Sequence, residues 1–398
     1  HEEWMSTMPE LGAMSLKKIS TSRLGSALPV LLALAAIWIY FGLTEPAFLS
    51  PRNFYYLFMQ SSVVGTLAVG ITIVLLIGDI DLSVAATSGV CAAILAVLTT
   101  NLGIPAPISC LAALSAGVCV GIFQGAMSAL VGIPSFVVTL AGLLGFQGLM
   151  LKILGIHGAI NVRDPFVRGI TTTTLPTELG WAAAALCIAA FSWIVWYNRQ
   201  KRRRLSLENN PWASDLTKVG FFVVFAISVV ATLNSYRGVP LVVVILLGLT
   251  ALLGWLTTST PFGRALYAVG GNAESARRAG ISLKGVKIAA FGIVGFMAAT
   301  GGIVGASRYA SVSFNAFAGG PLLLEAIGAA VIGGTSLFGG RGSVWNAILG
   351  ALVIGSLGNG LDLSGAGAAD KLMFSGGILL LAVSIDALSR QGRIQSRA

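Results

Sequence analysis

FYYLFMQSSVVGTLAVGITIVLLI (Phe54–Ile77) runs without a charged side chain and then breaks into GDIDLSV (Gly78–Val84). A helix of about 20 apolar residues crosses the ~30 Å hydrocarbon core of a bilayer. This stretch is therefore long enough to span, and the acids after it mark where the apolar run stops. The same criterion applied outward gives further spans near Leu28–Leu43, Leu82–Thr99, Ile108–Val131, Phe136–Ile156, Trp181–Trp196 and Val219–Leu233. Others lie near Val239–Leu256, Val286–Ala306, Leu322–Phe338, Val344–Leu361 and Leu372–Leu388. The expected fold is an all-α, polytopic transmembrane helical bundle of about twelve spans, some of them broken or re-entrant.

Composition agrees. Of 398 residues, 56% are hydrophobic and 10% charged, with a mean hydropathy of +0.87. A water-facing surface carries far more charge, near 25% in soluble domains. The net charge of +10 would suggest nucleic acid in a soluble protein. Here the bases sit in a few loops and tails, which reads as positive charge retained on the cytoplasmic side, with no nucleic-acid partner expected. Cys91, Cys110, Cys119 and Cys187 lie in or beside apolar runs without CxxC spacing and read as packing residues. His1 and His157 are isolated, so no metal site is expected, and no cofactor. Lys17-Lys18 before an apolar run resembles the start of a signal peptide, but no convincing cleavage site follows, and Leu28–Leu43 is expected to remain as the first span.

The basic clusters also set the topology. They occur at Lys17/Lys18/Arg23, Arg199/Lys201–Arg204, Arg264/Arg277/Arg278/Lys284/Lys287 and Arg390/Arg393/Arg397, with six, two and four spans between them. Even numbers keep all four clusters on one side, and both termini come out cytoplasmic. The expected division is a tail over 1–27, a membrane domain over 28–388 with a cytoplasmic loop at about 258–287, and a tail over 389–398. Ile77-Gly78 followed by Leu82 faintly echoes Ile332-Gly333 followed by Leu337, a pattern found in transporters with duplicated halves.

Three constellations carry candidate chemistry. In GDIDLS, Asp79 and Asp81 are expensive inside a membrane and should face a cavity, a partner or water. They read either as a helix break on a translocation path, with Asp81 or Ser83 capping the next span, or as a solvated cytoplasmic turn. In GAAVIGGTSLFGGRGS (Gly328–Ser343), Gly333 and Gly334 beside Thr335 and Ser336 should interrupt a helix and expose groups able to bond a polar solute. Alternatively they form a packing turn. Glu325 is a further acid just upstream.

The third, PFGRALYAVGGNAESARRAGISLKGVK (Pro261–Lys287), specifies a short helix. Asn272 is a good N-cap, Glu274 falls in the first turn, Arg277 and Arg278 in the last, and Gly280 suits the position after the end. Ala273, Ala276 and Ala279 form a small-residue strip that either seats in a partner's groove or lies on the bilayer. Gly117/Gly121/Gly125 and Gly301/Gly305 have GxxxG spacing for close helix crossings. The absence of a GxxxxGK[ST] phosphate loop, HExxH or GxSxG leaves enzymatic readings without support.

GDIDLSV, IPSFVVTLAGLLGFQGL (Ile133–Leu149), YAVGGNAESARRAGI (Tyr267–Ile281) and IGGTSLFGGRGS (Ile332–Ser343) resemble, in the same order, the permease subunits of bacterial monosaccharide ABC importers of the ribose/xylose/galactose type. The outline is most similar to xylose-type permeases, which carry a helical pair between Gly180 and Tyr236 that ten-span ribose-type relatives lack. The resemblance implies a translocation path involving Asp79, Asp81, Ser83, Gly333, Gly334, Thr335 and Ser336, and Glu325 is expected on that path as an acid within an apolar run. The resemblance also implies an ATPase-docking segment of Asn272, Ala276, Arg277, Gly280 and Ile281, to which the charge of the same helix end adds Arg278. Ser275 and Ala279 depart from the family pattern there, as do Ala85-Ala86 after the first break. The implied partners are a cytoplasmic ATP-binding subunit, a periplasmic sugar-binding protein and a second copy of the permease in a bacterial inner membrane, with hydrolysis on the separate ATPase chain. An ion-coupled transporter using Asp79, Asp81 or Glu325, or a related ABC permease for branched-chain amino acids or a signalling sugar, are the competing expectations.

Overall fold

In the computed structural model, residues 23–205, 211–318 and 320–395 are described. Lys17, Lys18 and Arg397, and with them most of the expected N-terminal tail, lie outside these. Ten helical segments among the described residues are long and apolar enough to cross a membrane. Two more helices stand at the ends of the chain where the first and last spans are expected: α1 (Arg23–Thr44), whose apolar part is Leu28–Thr44, and the last helix, Ala368–Gln395. That last helix runs through most of the expected C-terminal tail.

The centre is built from α2 (Pro51–Leu76), α3 (Val84–Ala96) and two later helices. Ser50 caps α2 by accepting from the Asn53 amide, and Pro51 takes the first helical position, where a missing N–H costs nothing. α4 (Ala106–Ala126) and α5 (Ser135–Leu154) follow, with a single π-helical turn ending both the α3 and the α4 spans. A strand, β1 (Ala159–Asn161), and the short α6 (Pro165–Thr172) lead to α7 (Thr177–Arg204) and α8 (Trp212–Asn234), the expected extra pair. Then come α9 (Leu241–Ser259), α10 (Pro261–Gly271), α11 (Ala273–Arg278) and the long α12 (Leu283–Tyr309). β2 (Ser311–Ser313) pairs antiparallel with β1, placing Ala159 opposite Ser313. The short α13 (Phe314–Phe317), α14 (Leu322–Ile332), α15 (Val344–Leu363) and α16 (Ala368–Gln395) complete the chain.

α12 is the hub, packing on α2, α3, α4 and α6, while α15 packs on α2, α14 and α1. Lipid tails are as apolar as leucine, so close backbone approach has to hold such helices together. The expected Gly117/Gly121/Gly125 motif does this, while the Gly301/Gly305 pair seats side chains instead. Gly117, Gly121 and Gly125 of α4 lie against Gly295, Phe291 and Ile288 of α12, where added side chains would run into backbone atoms. Gly301 instead receives Leu67 of α2, and Gly305 receives the ring of Phe317.

Burial sorts the helices into shells. In the most apolar stretch of α2, 89% of residues are buried, against 11% in each of α7 and α8. The pair touches the remainder chiefly through α8 against α2. At its base the chain is clasped: Thr174 bridges Pro240, the Leu175 amide donates to Val239 O at 2.9 Å, and the Leu241 amide to Thr173 O at 3.0 Å.

Candidate functional site: two helix breaks and the α10–α11 segment

The first break begins where α2 ends. Gly78, at φ +82, donates to Leu75 O, and the next amide, Asp79, reaches back to Val74 O. That is a Schellman ending, which a glycine adopts without side-chain strain. The Asp81 carboxylate then caps α3, its Oδ1 accepting from both the Ser83 amide and the Ser83 hydroxyl at 2.7 Å. Ser83 Oγ accepts in turn from Gln124 Nε2 at 2.8 Å. Of the two expected capping residues, Asp81 therefore provides the cap, and Ser83 relays it to α4.

Asp79 is engaged as well. Its Oδ1 accepts from the Ser135 hydroxyl at 2.8 Å and its Oδ2 stands 2.9 Å from Lys287 Nζ, which also donates to Ser128 Oγ at 3.2 Å. One carboxylate thus ties the break to the start of α5 and the first turns of α12. Lys287 was read from sequence only as part of a basic cluster. Its position inside the apolar run Val286–Ala306 was the signal that it needed an acid.

The second break repeats the first. α14 stops at Ile332, short of the expected Phe338, because Gly334 at φ +85 closes the same ending: its amide donates to Val331 O, and that of Thr335 to Ala330 O. Gly78 therefore corresponds to Gly334, one residue from the register that the sequence echo suggested. Within the loop the Ser336 amide donates to Arg341 O at 3.0 Å. Among the described residues the buried Thr335 hydroxyl has no hydrogen-bond partner. Glu325 does not join this cluster. It lies in the first turn of α14 within electrostatic reach of Arg308, eight residues and so ~12 Å along the helix from Gly333.

The two breaks meet, and α10 meets both. The Gly340 amide donates to Leu76 O at 2.9 Å. A methyl group at Gly339 would stand 2.8 Å from Gly78 N and 2.9 Å from Gly270 O, and one at Gly270 would collide with Leu76 O and Gly340 N. Three backbones therefore touch at points where only glycine fits. The Tyr267 hydroxyl of α10 adds a bond to Gly342 O at 2.9 Å. Sequence reasoning missed α10 as a helix, although Thr260 followed by Pro261 is a start signal, and the Thr260 hydroxyl does accept from the Gly263 amide.

α11 matches its sequence description. Asn272 Oδ1 accepts from the Ser275 amide at 2.9 Å, and Gly280 sits at φ +81 beyond the end. Glu274 bridges Arg277 and Arg278 at 2.9–3.0 Å, and these bonds, Arg277's first, hold its carboxyl below the usual range. The alanine strip is a correction. Ala276 is buried against the chain's own body while Ala273 and Ala279 are exposed, because three-residue steps drift around a helix. Asn272, Arg277, Arg278 and Gly280 form the exposed part, with Ile281 half-buried behind them.

Chemically, the arrangement is a set of mutually fastened joints. A separate groove of about 510 Å³ between α4, α9 and α12 is lined by groups such as Val118, Ile122, Leu253 and Met297, and its almost purely apolar wall suits no sugar.

The family model described as "Branched-chain amino acid transport system / permease component" matches residues 53–383. The xylose transport system permease protein XylH of Haemophilus influenzae is 36% identical over 91% of this chain and 96% of its own length, and that of Escherichia coli K12 is 36% identical over 90% and 91%. The autoinducer 2 import system permease protein LsrC of Salmonella typhi is 31% identical over 84% of this chain and 77% of its own. No solved structure matches. With both breaks, the segment between them and nearly all the spans inside the matched region, the chain belongs to the branched-chain amino acid transport system permease family.

Proposed function

We propose that this chain is the membrane-spanning subunit of an ATP-driven importer for a monosaccharide of the xylose type. In this reading it forms the path and docks a cytoplasmic ATPase through α11. The observation that carries it is the junction of α10 with both helix breaks. A force applied to α11 reaches Gly270 and Tyr267 within one short helix, and from there the ends of α2 and α14. A periplasmic binding protein delivers the sugar, a second copy completes the path, and both termini face the cytoplasm. Asp79, Asp81, Ser83, Gly333, Gly334, Thr335 and Ser336 act at the cytoplasmic end of the path and Glu325 nearer its outer mouth. Arg277, Arg278, Asn272 and Gly280 contact the ATPase, while Ala276 and Ile281 seat α11. An ion-coupled mechanism is disfavoured because Asp79 and Asp81 already have partners within the chain.

In proteoliposomes containing the permease, its ATPase and its binding protein, xylose uptake should require ATP and survive an ionophore. Uptake that needs neither ATP nor ATPase would overturn the proposal. Replacing Arg277 and Arg278 by Glu should sharply reduce ATPase co-purification while the permease keeps its thermal midpoint. Undiminished co-purification would place docking elsewhere.

A further inference from the structure

The helical pair α7–α8 has little protein around it, and its chemistry says what does surround it. At 1.5 Å per residue, the 28 residues of α7 measure ~42 Å, the thickness of a bilayer with its headgroups rather than of the hydrocarbon alone. The last turn and a half, Arg199–Arg204, therefore stands at phosphate depth. Just before it, Trp193, Trp196 and Tyr197 are exposed, and Trp212 of α8 is exposed beside it, the aromatic girdle of a membrane–water interface.

The basic side chains there divide into two sets. Arg199 is fixed in place: it pairs with Asp215 at 2.7 Å and lies 3.8 Å over the Trp212 ring, while Lys218 pairs with the other Asp215 oxygen at 3.1 Å. These contacts lock the two helix ends together and use the acid. Lys201, Arg202, Arg203 and Arg204 are all exposed, and among the described residues none has a carboxylate partner. Of these four, Arg203 has an aromatic neighbour among the described residues, Trp212 at 5.8 Å. Over 199–218 the sequence carries six bases and two acids. A helix C-terminus adds partial negative charge that holds such cations in place. Charge retention during insertion needs bases on this side, but it does not require Asp215 to pin a tryptophan platform beside four exposed cations.

We propose that the cytoplasmic-cluster end of α7–α8 is a binding surface for anionic phospholipid headgroups. Lys201–Arg204 contact the phosphates, and Trp196 and Trp212 sit at the acyl boundary. Each cation near an anionic surface contributes roughly fivefold in affinity, so the surface selects phosphatidylglycerol over phosphatidylcholine.

The purified full-length permease, loaded with an equimolar mixture of the two lipids, tests this by native mass spectrometry. The wild type should retain phosphatidylglycerol preferentially. Arg203→Gln with Arg204→Gln should lower that preference by roughly tenfold or more, while Arg203→Lys with Arg204→Lys keeps it. Raising the salt should weaken the preference, because ions screen exposed charges. Equal preference in wild type and the Gln variant would overturn the proposal. So would inorganic phosphate alone raising the wild-type thermal midpoint as much as phosphatidylglycerol does, which means a free-anion site. Loss of ATPase co-purification with unchanged lipid retention would also overturn it and assign the patch to a protein. If the Gln variant does not accumulate, a headgroup-photoreactive phosphatidylglycerol applied to the wild type decides. Adducts should concentrate on 199–204 and Trp212, and adducts centred on 264–287 instead would sink the idea.

Discussion

Lys287 shows how one side chain changes the meaning of another. Read alone, Asp79 is an acid in an apolar chain; with Lys287 Nζ at 2.9 Å, it is half of a clasp joining the first break to α12. Both side chains are at most about a quarter exposed, so the pair is screened less than a surface one. A double-mutant cycle of Asp79→Ala and Lys287→Ala should give a coupling of about 1 kcal/mol in detergent unfolding; strict additivity would show the contact to be incidental. Thr335 makes the opposite case. A buried hydroxyl without a partner costs ~1–3 kcal/mol, so Thr335→Val, nearly isosteric, should raise the thermal midpoint. If the hydroxyl serves the solute, uptake should fall in the same variant; normal uptake would return Thr335 to a packing role. The residue types at both breaks were legible in the sequence, since glycines beside acids or hydroxyls cannot continue an apolar helix. Their partners were not, because Lys287 and Ser135 lie more than fifty positions from Asp79, and nothing local encodes that meeting.

Among helices, the close crossing of α4 on α12 has the clearest structural test. Gly121→Ala should lower the unfolding midpoint by an amount equivalent to ~1–3 kcal/mol, since its methyl meets the Phe291 carbonyl. Gly220→Ala in α8, where nothing lies within 4 Å, should be neutral or gain up to ~1 kcal/mol from helix propensity. Equal effects at the two sites would mean that the crossing is looser than its backbone contacts imply. GxxxG spacing correctly marked α4 as a close-packing helix. It did not identify the partner, because spacing records what one surface permits and not which surface meets it. Helix ends were read best where a cap was local, as with Asn272 in α11. They were read worst at Phe338, where a glycine-rich loop of apolar residues looks like span to any hydropathy criterion.

For the whole molecule, the order of the spans followed from hydrophobic length, and ten of the twelve expected stand among the described residues as helices long and apolar enough to cross, because a bilayer imposes the same thickness on every crossing. The meeting of α10 with both breaks depends on three-dimensional closure and left only its glycines in the sequence. The clasp at the base of α7–α8 has a consequence of another kind. The stretches around Thr174 and Pro240 are already joined by the backbone bonds of Leu175 to Val239 and of Leu241 to Thr173, so the chain leaves the bundle and returns at one point, and the entropy of closing that loop is met locally rather than by the core. Removing 177–237 and splicing Pro176 to Gly238 should therefore yield a protein that inserts, keeps the α2–α12–α15 packing and still co-purifies with the ATPase of the proposed importer. Failure of that splice to accumulate would show the pair to be structural. Its success would make the excursion a module, gained or shed in one event without redesign of what lies beneath it.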